Sequence, residues 1–207
     1  MSHPYFFINP SQVTGNRIIL TDVNELNHLS RVLRCKPGDI VYFSDNEKSV
    51  YRTSTLTIDK DEGLFETLEK YDLEKSITRK TLYQCVLKKN AMEFVIQKSV
   101  EIGVDNIIPV ISSRVVPDIS DGKNKAIRWQ KIADEAAKQC KRQLRCVIGE
   151  PVKIADIDPS SYQLFYVPHE ASSAAKGGDI ISDLASMEPP ESIGVLTGPE
   201  GGLSGDE

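Results

Sequence analysis

The sequence predicts an α/β protein in two parts, a small N-terminal β-barrel followed by a mostly parallel α/β domain. Three observations predict this class. Short β-prone runs recur at close spacing up to residue 68, which is typical of small barrels. A polar stretch at residues 70–80 lacks hydrophobic periodicity. Beyond it, apolar runs alternate with helical patterns, which indicates a parallel sheet with crossover helices. We therefore predict domains at residues 1–73 and 74–207.

The first domain is predicted as short strands around one helix. The β-prone runs are Tyr5–Ile8, Arg17–Leu20, Ile40–Phe43, Val50–Ile58 and Leu64–Leu68. Thr21 could cap a helix that runs to about Arg34, and Lys36-Pro37-Gly38-Asp39 has the chemistry of a helix end and a turn. The apolar residues of this helix recur at helical spacing, so we expect all of them to face the core: Leu26, Leu29, Val32 and Leu33.

The second domain is predicted as alternating strands and helices. Its strands are expected within Thr81–Leu87, Val104–Ile111, Gln163–Val167 and Ser192–Leu196. One helix begins at Asn90, with Glu93 at the reciprocal position of a capping box, and stops at Gly103. Further helices are expected at about Lys125–Leu144 and near Ile180–Met187.

Composition excludes several classes of protein. The chain is 40% hydrophobic and 27% charged, so it is not disordered as a whole. No run approaches the ~18 apolar residues of a membrane span, and the first ten residues lack the features of a secretory signal. We therefore expect a cytoplasmic protein with no membrane association. The four cysteines have no zinc-ligand spacing, so we predict buried free thiols and no metal.

The net charge of −5 conceals a segregation of charge along the chain. Residues 76–150 hold 14 Lys and Arg against 8 Asp and Glu, whereas residues 151–207 hold 2 against 10. In the helix predicted near residues 125–144, the cations fall within about a 100° arc when the helix is continued to residue 145: Arg128, Lys131, Lys138, Arg142 and Arg145. Trp129, Ala133, Ala136, Ala137, Cys140 and Leu144 cluster opposite them. The cationic side is either a solvated helix face or a surface for RNA or another polyanion.

The first predicted helix carries a smaller cationic side. His28, Arg31 and Arg34 are spaced three residues apart and fall together. Alone, this pattern favours a solvated surface helix. Beside the longer basic helix, it is better interpreted as a second element that contacts phosphates.

A glycine-rich segment follows the last apolar strand. Gly198-Pro199-Glu200-Gly201-Gly202 comes directly after Leu196-Thr197, and ligands of α/β sheets bind outside the carboxyl ends of the strands. The segment matches neither the ATP P-loop nor the dinucleotide fingerprint. Glu200 would repel phosphate but would suit a cationic ligand. The segment is therefore either a ligand loop or a plain turn. His169 also follows a strand end, where it would line a pocket or lie on the surface.

These motifs together resemble one family, the bacterial 16S ribosomal RNA uridine N3-methyltransferases (the RsmE family of the SPOUT class). The matches occur in order along the whole chain, and the two most specific are Gln97-Lys98 with Glu101-Ile102-Gly103-Val104, and Gly198-Pro199-Glu200-Gly201-Gly202-Leu203-Ser204. The others are His28 with Arg31-Val32-Leu33-Arg34, Met92-Glu93-Phe94, Pro109, Ser113-Arg114, Trp129, Glu135-Ala136, Gln139 and Arg142.

The resemblance implies a PUA-like RNA-binding barrel, a SPOUT domain with a trefoil knot, a homodimer, and the cofactor S-adenosyl-L-methionine. The substrate would be 16S rRNA of the small ribosomal subunit. Cofactor contacts are expected from Val167, Pro168, His169, Leu196, Thr197, Gly198, Pro199, Glu200, Gly201 and Gly202. RNA contacts are expected from Arg17, His28, Arg31, Arg34, Lys89, Arg114, Lys138 and Arg142. The catalytic candidates are Arg142 and Glu200, and no general base is identified.

The sequence stops at a capping box, Ser204-Gly205-Asp206-Glu207, which announces a helix. We therefore expect that a C-terminal segment of the family is missing, and that this 207-residue form could be inactive. Three functions remain open at this point. They are methylation of uridine N3, methylation of a ribose 2′-hydroxyl, and RNA binding without catalysis.

Overall fold

The chain folds into two compact units in a computed structural model. The structure describes residues 3–74, 76–88, 90–113, 122–168 and 186–204. The first unit comprises Met1–Lys75 together with Lys138–Arg145, and the second comprises Ser76–Ala137 together with Cys146–Glu207. The segment Lys138–Arg145, which the prediction placed in the second domain, therefore belongs to the first unit.

The first unit is built on a six-stranded mixed sheet. Its strands are β1 (Tyr5–Phe7), β2 (Val13–Thr14), β3 (Arg17–Leu20), β4 (Ile40–Ser44), β5 (Ser49–Ile58) and β6 (Gly63–Asp72). They lie in the order β1-β4-β5-β6-β3-β2. Only β1 and β4 pair in parallel, and the other neighbours are antiparallel. The alternation of buried and half-buried residues along β5 places one face of the sheet on a core.

Aromatic side chains fill that core. The rings of Phe43 and Phe65 meet edge to face at 4.8 Å between centroids, and Phe6 lies beside Phe43 at 6.1 Å. Ile18 and Leu20 of β3 are fully buried against them. The short strands of this unit therefore share one apolar interior.

The helix of the first unit is regular for little more than one turn. The carboxylate of Asp22, rather than Thr21, caps it by accepting the N–H groups of Asn24 (2.8 Å) and Glu25 (3.1 Å). Helix α1 (Val23–Asn27) then passes into a π-helical turn at His28–Val32. Leu26 and Leu29 are buried as predicted. The expectation for Val32 and Leu33 is wrong, because the wider turn rotates both side chains into solvent.

The second unit is built on a parallel sheet. Its strands are β7 (Arg79–Cys85), β8 (Asn106–Ile111), β9 (Val147–Ile148), β10 (Val152–Lys153), β11 (Leu164–Tyr166) and β12 (Ser192–Thr197). They lie in the order β10-β8-β7-β12-β11, with β9 also paired to β8, and every described pairing is parallel. This confirms the predicted α/β class. The knot stays a prediction.

Helix α2 (Ala91–Glu101) begins where the sequence predicted, after Asn90. The predicted capping box is wrong, because the Asn90 side chain makes no capping hydrogen bond. Glu93 instead forms an ion pair with Arg128, at 2.6 Å. Gly103 ends the helical region with a φ of +93°, as a glycine stop requires.

Helix α3 (Gly122–Gln139) is shorter at its carboxyl end than predicted. Its packed face is confirmed, since Trp129, Ala133, Ala136 and Ala137 are buried. The predicted basic stripe is wrong, because Lys141 takes a φ of +57° and the residues after it leave the helical path. The described helices include none long and apolar enough to span a membrane.

Three smaller expectations also have outcomes. Cys85 and Cys146 are buried and Cys35 is half-buried, but Cys140 is exposed, so the prediction of a buried thiol is wrong there. Cys140 was also expected on the packed face of the long helix, which ends before it. The helix predicted near Ile180–Met187 falls almost entirely outside the described residues.

Candidate functional site

The carboxyl ends of three parallel strands lie side by side in the second unit. Strand β12 pairs with β7 through Thr197 and Gln84, and with β11 through Val195 and Tyr166. The segments that follow these strands therefore emerge at one edge of the sheet. Together with Leu196 and Thr197 at the end of β12, they include every described residue of the predicted cofactor set, whereas His169 lies outside the described residues. This edge is where ligands bind in open α/β sheets.

The glycine-rich segment forms a tight turn at this edge. The Gly202 N–H donates to the Pro199 carbonyl at 2.9 Å, and Gly202 has a φ of +69°, which favours glycine. A Cβ on Gly198 would lie 3.3 Å from both Cγ and the backbone nitrogen of Leu203. Gly201 is exposed, and a Cβ there would meet no heavy atom within 4 Å. The turn thus packs closely at Gly198 and leaves open space beside the Cα of Gly201.

The Glu200 carboxylate joins this turn to the segment after β7. Its Oε1 accepts the backbone N–H of Lys88 at 3.1 Å. Hydrogen bonds from its own N–H and from that of Lys88 hold the pKa of Glu200 below its ordinary value. The side chain is therefore ionised at neutral pH and lies at the surface of the edge.

A polar pair that was not predicted from the sequence, the half-buried Thr197 and the buried Gln84, lies directly below the turn. The Thr197 hydroxyl donates to Oε1 of Gln84 at 2.6 Å, and Nε2 of Gln84 donates to the Cys85 carbonyl at 3.0 Å. Gln84 is only 5% exposed. The available signal was a glutamine among the apolar residues at the end of β7, because a buried amide needs hydrogen-bond partners.

Aromatic rings support the strand ends from one face of the sheet. The hydroxyl groups of Tyr83 and Tyr162 lie 2.9 Å apart, and burial together with that hydrogen bond raises the pKa of Tyr83. Phe165 packs beside both rings. A Cβ on Gly194 would lie 2.5 Å from the Phe165 ring, so β12 approaches the rings as closely as glycine permits.

The first unit holds all six of the described residues that were predicted to contact RNA. Arg17 is exposed on β3, and Arg31 and Arg34 are exposed at and just after the π-helical turn. Arg34 has a φ of +55°, an uncommon conformation for a residue with a side chain. His28 is half-buried, with its ring edge-to-face against Phe6 at 5.8 Å.

Lys138 is held inside the first unit. Its Nζ lies 2.5 Å from Oε1 of Glu25 and 5.2 Å from the centre of the Phe6 ring. The side chain is 9% exposed. The ammonium group thus neutralises a neighbouring carboxylate in the fold, a position that does not present it to RNA.

Residues 138–145, which we call the docked segment, are bound to the first unit by several further contacts. The carbonyl of Gln143 accepts the Ser44 hydroxyl at 2.6 Å, and its side-chain oxygen accepts the Glu74 N–H at 2.8 Å. The Arg145 N–H donates to Oδ1 of Asn46 at 2.7 Å. Arg142 is half-buried within this segment.

The remaining predicted site residues have simple outcomes. The two catalytic candidates, Arg142 and Glu200, belong to different units. Lys89 and Arg114 lie outside the described residues. No cluster of three or more His, Cys, Asp or Glu side chains suited to a metal ion occurs in the described part of the chain.

Comparisons with known proteins identify relatives of both units. Residues 74–207 match the model of the RNA methyltransferase domain family. The ribosomal RNA small subunit methyltransferase E of Mesomycoplasma hyopneumoniae is 32% identical over 200 residues, which cover 96% of this chain and 82% of that protein. Ribosomal RNA small subunit methyltransferase E 2 of Borreliella burgdorferi is 29% identical over 202 residues, covering 94% and 79%.

A solved structure gives the same result for the fold. The ribosomal RNA small subunit methyltransferase E of Neisseria gonorrhoeae, bound to S-adenosyl methionine, superposes with a TM-score of 0.83 at 27% identity. The match covers 99% of this chain and 83% of that one.

Proposed function

Since the chain belongs to the ribosomal RNA small subunit methyltransferase E family, we propose that it transfers the methyl group of S-adenosyl-L-methionine to N3 of a uridine in 16S rRNA. The observation that carries the proposal is the single sheet edge where the glycine turn, Glu200 and the segment after β11 come together. The Neisseria gonorrhoeae relative with this fold is bound to the same cofactor.

The glycine turn is proposed as the wall of the cofactor pocket, together with Val167 and Pro168. The open space beside the Cα of Gly201 leaves room for a ligand. The ionised Glu200 gives this edge a fixed negative charge, which suits a sulfonium cation. The buried bond between Thr197 and Gln84 fixes the point from which the turn departs.

Methyl transfer depends more on the positioning of the two reactants than on chemical activation of either one. N3 of uridine forms a bond to the methyl carbon, the bond from that carbon to sulfur breaks, and the N3 proton leaves. S-adenosylhomocysteine and a proton are released. Because the sulfonium methyl group is already electrophilic, in-line placement of the two reactants supplies most of the rate. N3 lies on the pairing edge of the base, so the uridine must be unpaired or flipped out.

Arginines of the first unit are proposed to hold the RNA. Arg31 and Arg34 are exposed and suit phosphate oxygens. Arg142 is proposed as a contact to RNA or to the developing negative charge of uracil, for which a guanidinium is a suitable partner. A homodimer and a cytoplasmic location also stay proposals.

The test is methyl transfer to undermethylated small ribosomal subunits with isotope-labelled cofactor, followed by nucleoside mass spectrometry. We expect label on N3-methyluridine. Label on a ribose 2′-hydroxyl or on another base would refute the assignment. RNA binding without any transfer would favour a non-catalytic role for this 207-residue form.

A matched pair of glycine variants tests the pocket. Gly198→Val places a branched side chain where even a Cβ lies 3.3 Å from Leu203, whereas Gly201→Ala adds a methyl group in open space. We expect Gly198→Val to abolish cofactor binding in calorimetry. Gly201→Ala should retain the fold and show a smaller loss of cofactor affinity. Full cofactor binding by Gly198→Val would contradict the placement of the pocket.

A further inference from the structure

Two large apolar side chains stand in solvent between two arginines on the first unit. Val32 is 70% exposed and Leu33 is 41% exposed. Arg31 precedes them and Arg34 follows, and both are exposed. Four consecutive exposed residues in the order Arg-Val-Leu-Arg place two apolar side chains between two cationic ones on this surface.

The exposure results from the π-helical turn. At regular helical spacing, Val32 and Leu33 would continue the buried stripe of Leu26 and Leu29. The Leu33 N–H instead donates to the carbonyl of His28, five residues back, and the Cys35 N–H to that of Leu29, six residues back. Burial of an aliphatic side chain stabilises a fold. The first unit therefore forgoes most of that stabilisation at Val32 and part of it at Leu33.

Burial and hydrogen bonds on both sides of the π-helical turn fix its conformation. Leu29 is fully buried, and the Ser30 hydroxyl donates to the Leu26 carbonyl at 2.7 Å. On the far side, the Lys36 N–H donates to Oδ2 of Asp39 at 2.7 Å. π-helical turns of this kind are frequent at functional sites.

The charge around the pair indicates the class of partner. Residues 27–38 contain no Asp or Glu, and Arg31, Arg34 and Lys36 are exposed there. Apolar side chains between cations suit a partner that offers flat apolar faces between regularly spaced anions. RNA with unpaired bases has this character, since its bases stack on side chains while its phosphates meet Arg and Lys.

We propose that Val32 and Leu33 form an apolar wedge that packs against an unpaired base face of the target rRNA, while Arg31 and Arg34 hold the flanking phosphates. The inference rests on the proposed function, because transfer to N3 requires a base that is out of its pair. An apolar wedge against an unpaired base keeps that base from stacking and pairing again, as apolar side chains unstack bases in other nucleic-acid complexes.

The experiment compares three variants of the full chain in binding to a 16S rRNA fragment over a series of salt concentrations. We expect Val32→Ser with Leu33→Ser to weaken binding about fivefold at every salt concentration, with the slope unchanged, because no charge is lost. Arg31→Ala should instead reduce the slope by about one. Val23→Ser, which changes another exposed aliphatic residue of the same unit, is the matched control and should change neither quantity.

A second comparison distinguishes contact with unpaired bases from non-specific hydrophobic binding. The same RNA sequence is offered as a single strand and as a duplex, and the double serine variant should lose the preference of the wild type for the single strand. Equal affinities of variant and wild type would overturn the inference. So would a loss of binding to anionic lipid vesicles with RNA binding intact, because the surface would then be a membrane contact. If the wild type neither binds nor methylates rRNA, the proposed function fails instead.

Discussion

Each unit fixes one loop with a carboxylate that accepts backbone N–H groups, and the two loops differ in their surroundings. In the first unit, Oδ1 of Asp45 accepts the N–H groups of Glu47 (3.0 Å), Lys48 (2.8 Å) and Ser49 (2.8 Å). Its Oδ2 accepts the Tyr51 hydroxyl at 3.2 Å. Asp45 is buried. The carboxylate thus forms part of the interior that joins β4 to β5.

In the second unit, Glu200 makes the corresponding contact to Lys88 at the surface. Both carboxyl groups have a pKa below the ordinary value, but the effects that set the pKa differ between them. Burial acts to raise the pKa of Asp45, and its N–H donors outweigh that effect. Burial and the charge of Asp45 raise the pKa of nearby Tyr5 to about 12. The comparison indicates that the buried Asp45 stabilises the fold, whereas the exposed Glu200 sets the geometry of the loop that we propose as part of the cofactor pocket.

The largest effect is expected at the buried acid. Asp45→Ala leaves three N–H donors of one turn without their acceptor, so the free energy of unfolding should fall by about 3 kcal/mol. Urea unfolding of the full chain measures it. Asp61→Ala, at an exposed acid in the same unit, should change stability by less than about 0.5 kcal/mol. Equal effects of the two variants would break the distinction between buried and exposed acids.

A smaller loss of stability is expected in the second unit, from the buried pair below the exposed acid. Thr197→Val keeps the shape but removes the hydroxyl that donates to Gln84. An unsatisfied buried oxygen costs about 1–2 kcal/mol. Thr57→Val, at an exposed strand position, serves as the control. A Thr197→Val protein as stable as the wild type would show that this hydrogen bond does not stabilise the second unit.

At the exposed acid, the effect is expected in binding rather than in stability. Glu200→Gln keeps an acceptor for the Lys88 N–H but removes the negative charge from the proposed cofactor edge. The urea midpoint should not move, and calorimetry should show severalfold weaker binding of S-adenosylmethionine. A lower urea midpoint with unchanged affinity for S-adenosylmethionine would mean that Glu200 stabilises the fold and does not contribute to cofactor binding.

The smallest effect is a dependence on pH. Because the folded state lowers the pKa of Asp45, its contribution to stability is present above the unfolded aspartate value of about 3.9 and is lost as pH falls through the folded value. The difference in unfolding free energy between the wild type and Asp45→Asn should therefore shrink as the pH is lowered from 5 toward 3. A difference that stays constant over this range would show that the charge of Asp45 contributes nothing.

Local patterns predicted most of the regular structure. Strand β3 has the predicted bounds, Arg17–Leu20, because its β-branched residues and flanking turns all favour a strand. The end of α3 could not be predicted in this way. The residues after it are held by Ser44 and Asn46, each 99 positions away in sequence from its partner, and no window along the chain contains both partners.

The site was predictable to a similar extent. The glycines at 198, 201 and 202 identified the turn, since they make an unusual cluster directly after a strand. The bond between Thr197 and Gln84 was not predictable, because it depends on the register of two strands 113 residues apart. The π-helical turn was missed for a related reason. Its sequence satisfies the periodicity of a regular helix, and only the observed hydrogen bonds show the extra residue.

The docked segment has a consequence for how this protein is made. During synthesis, the first 75 residues leave the ribosome well before the segment that provides the cation for Glu25 and the carbonyl for Ser44. Until residue 145 emerges, the nascent first unit keeps a carboxylate and a hydroxyl without their final partners. An excised fragment that ends at residue 75 therefore lacks both of these contacts. A chimaera that exchanges this region between relatives would have to carry residues 138–145 with it.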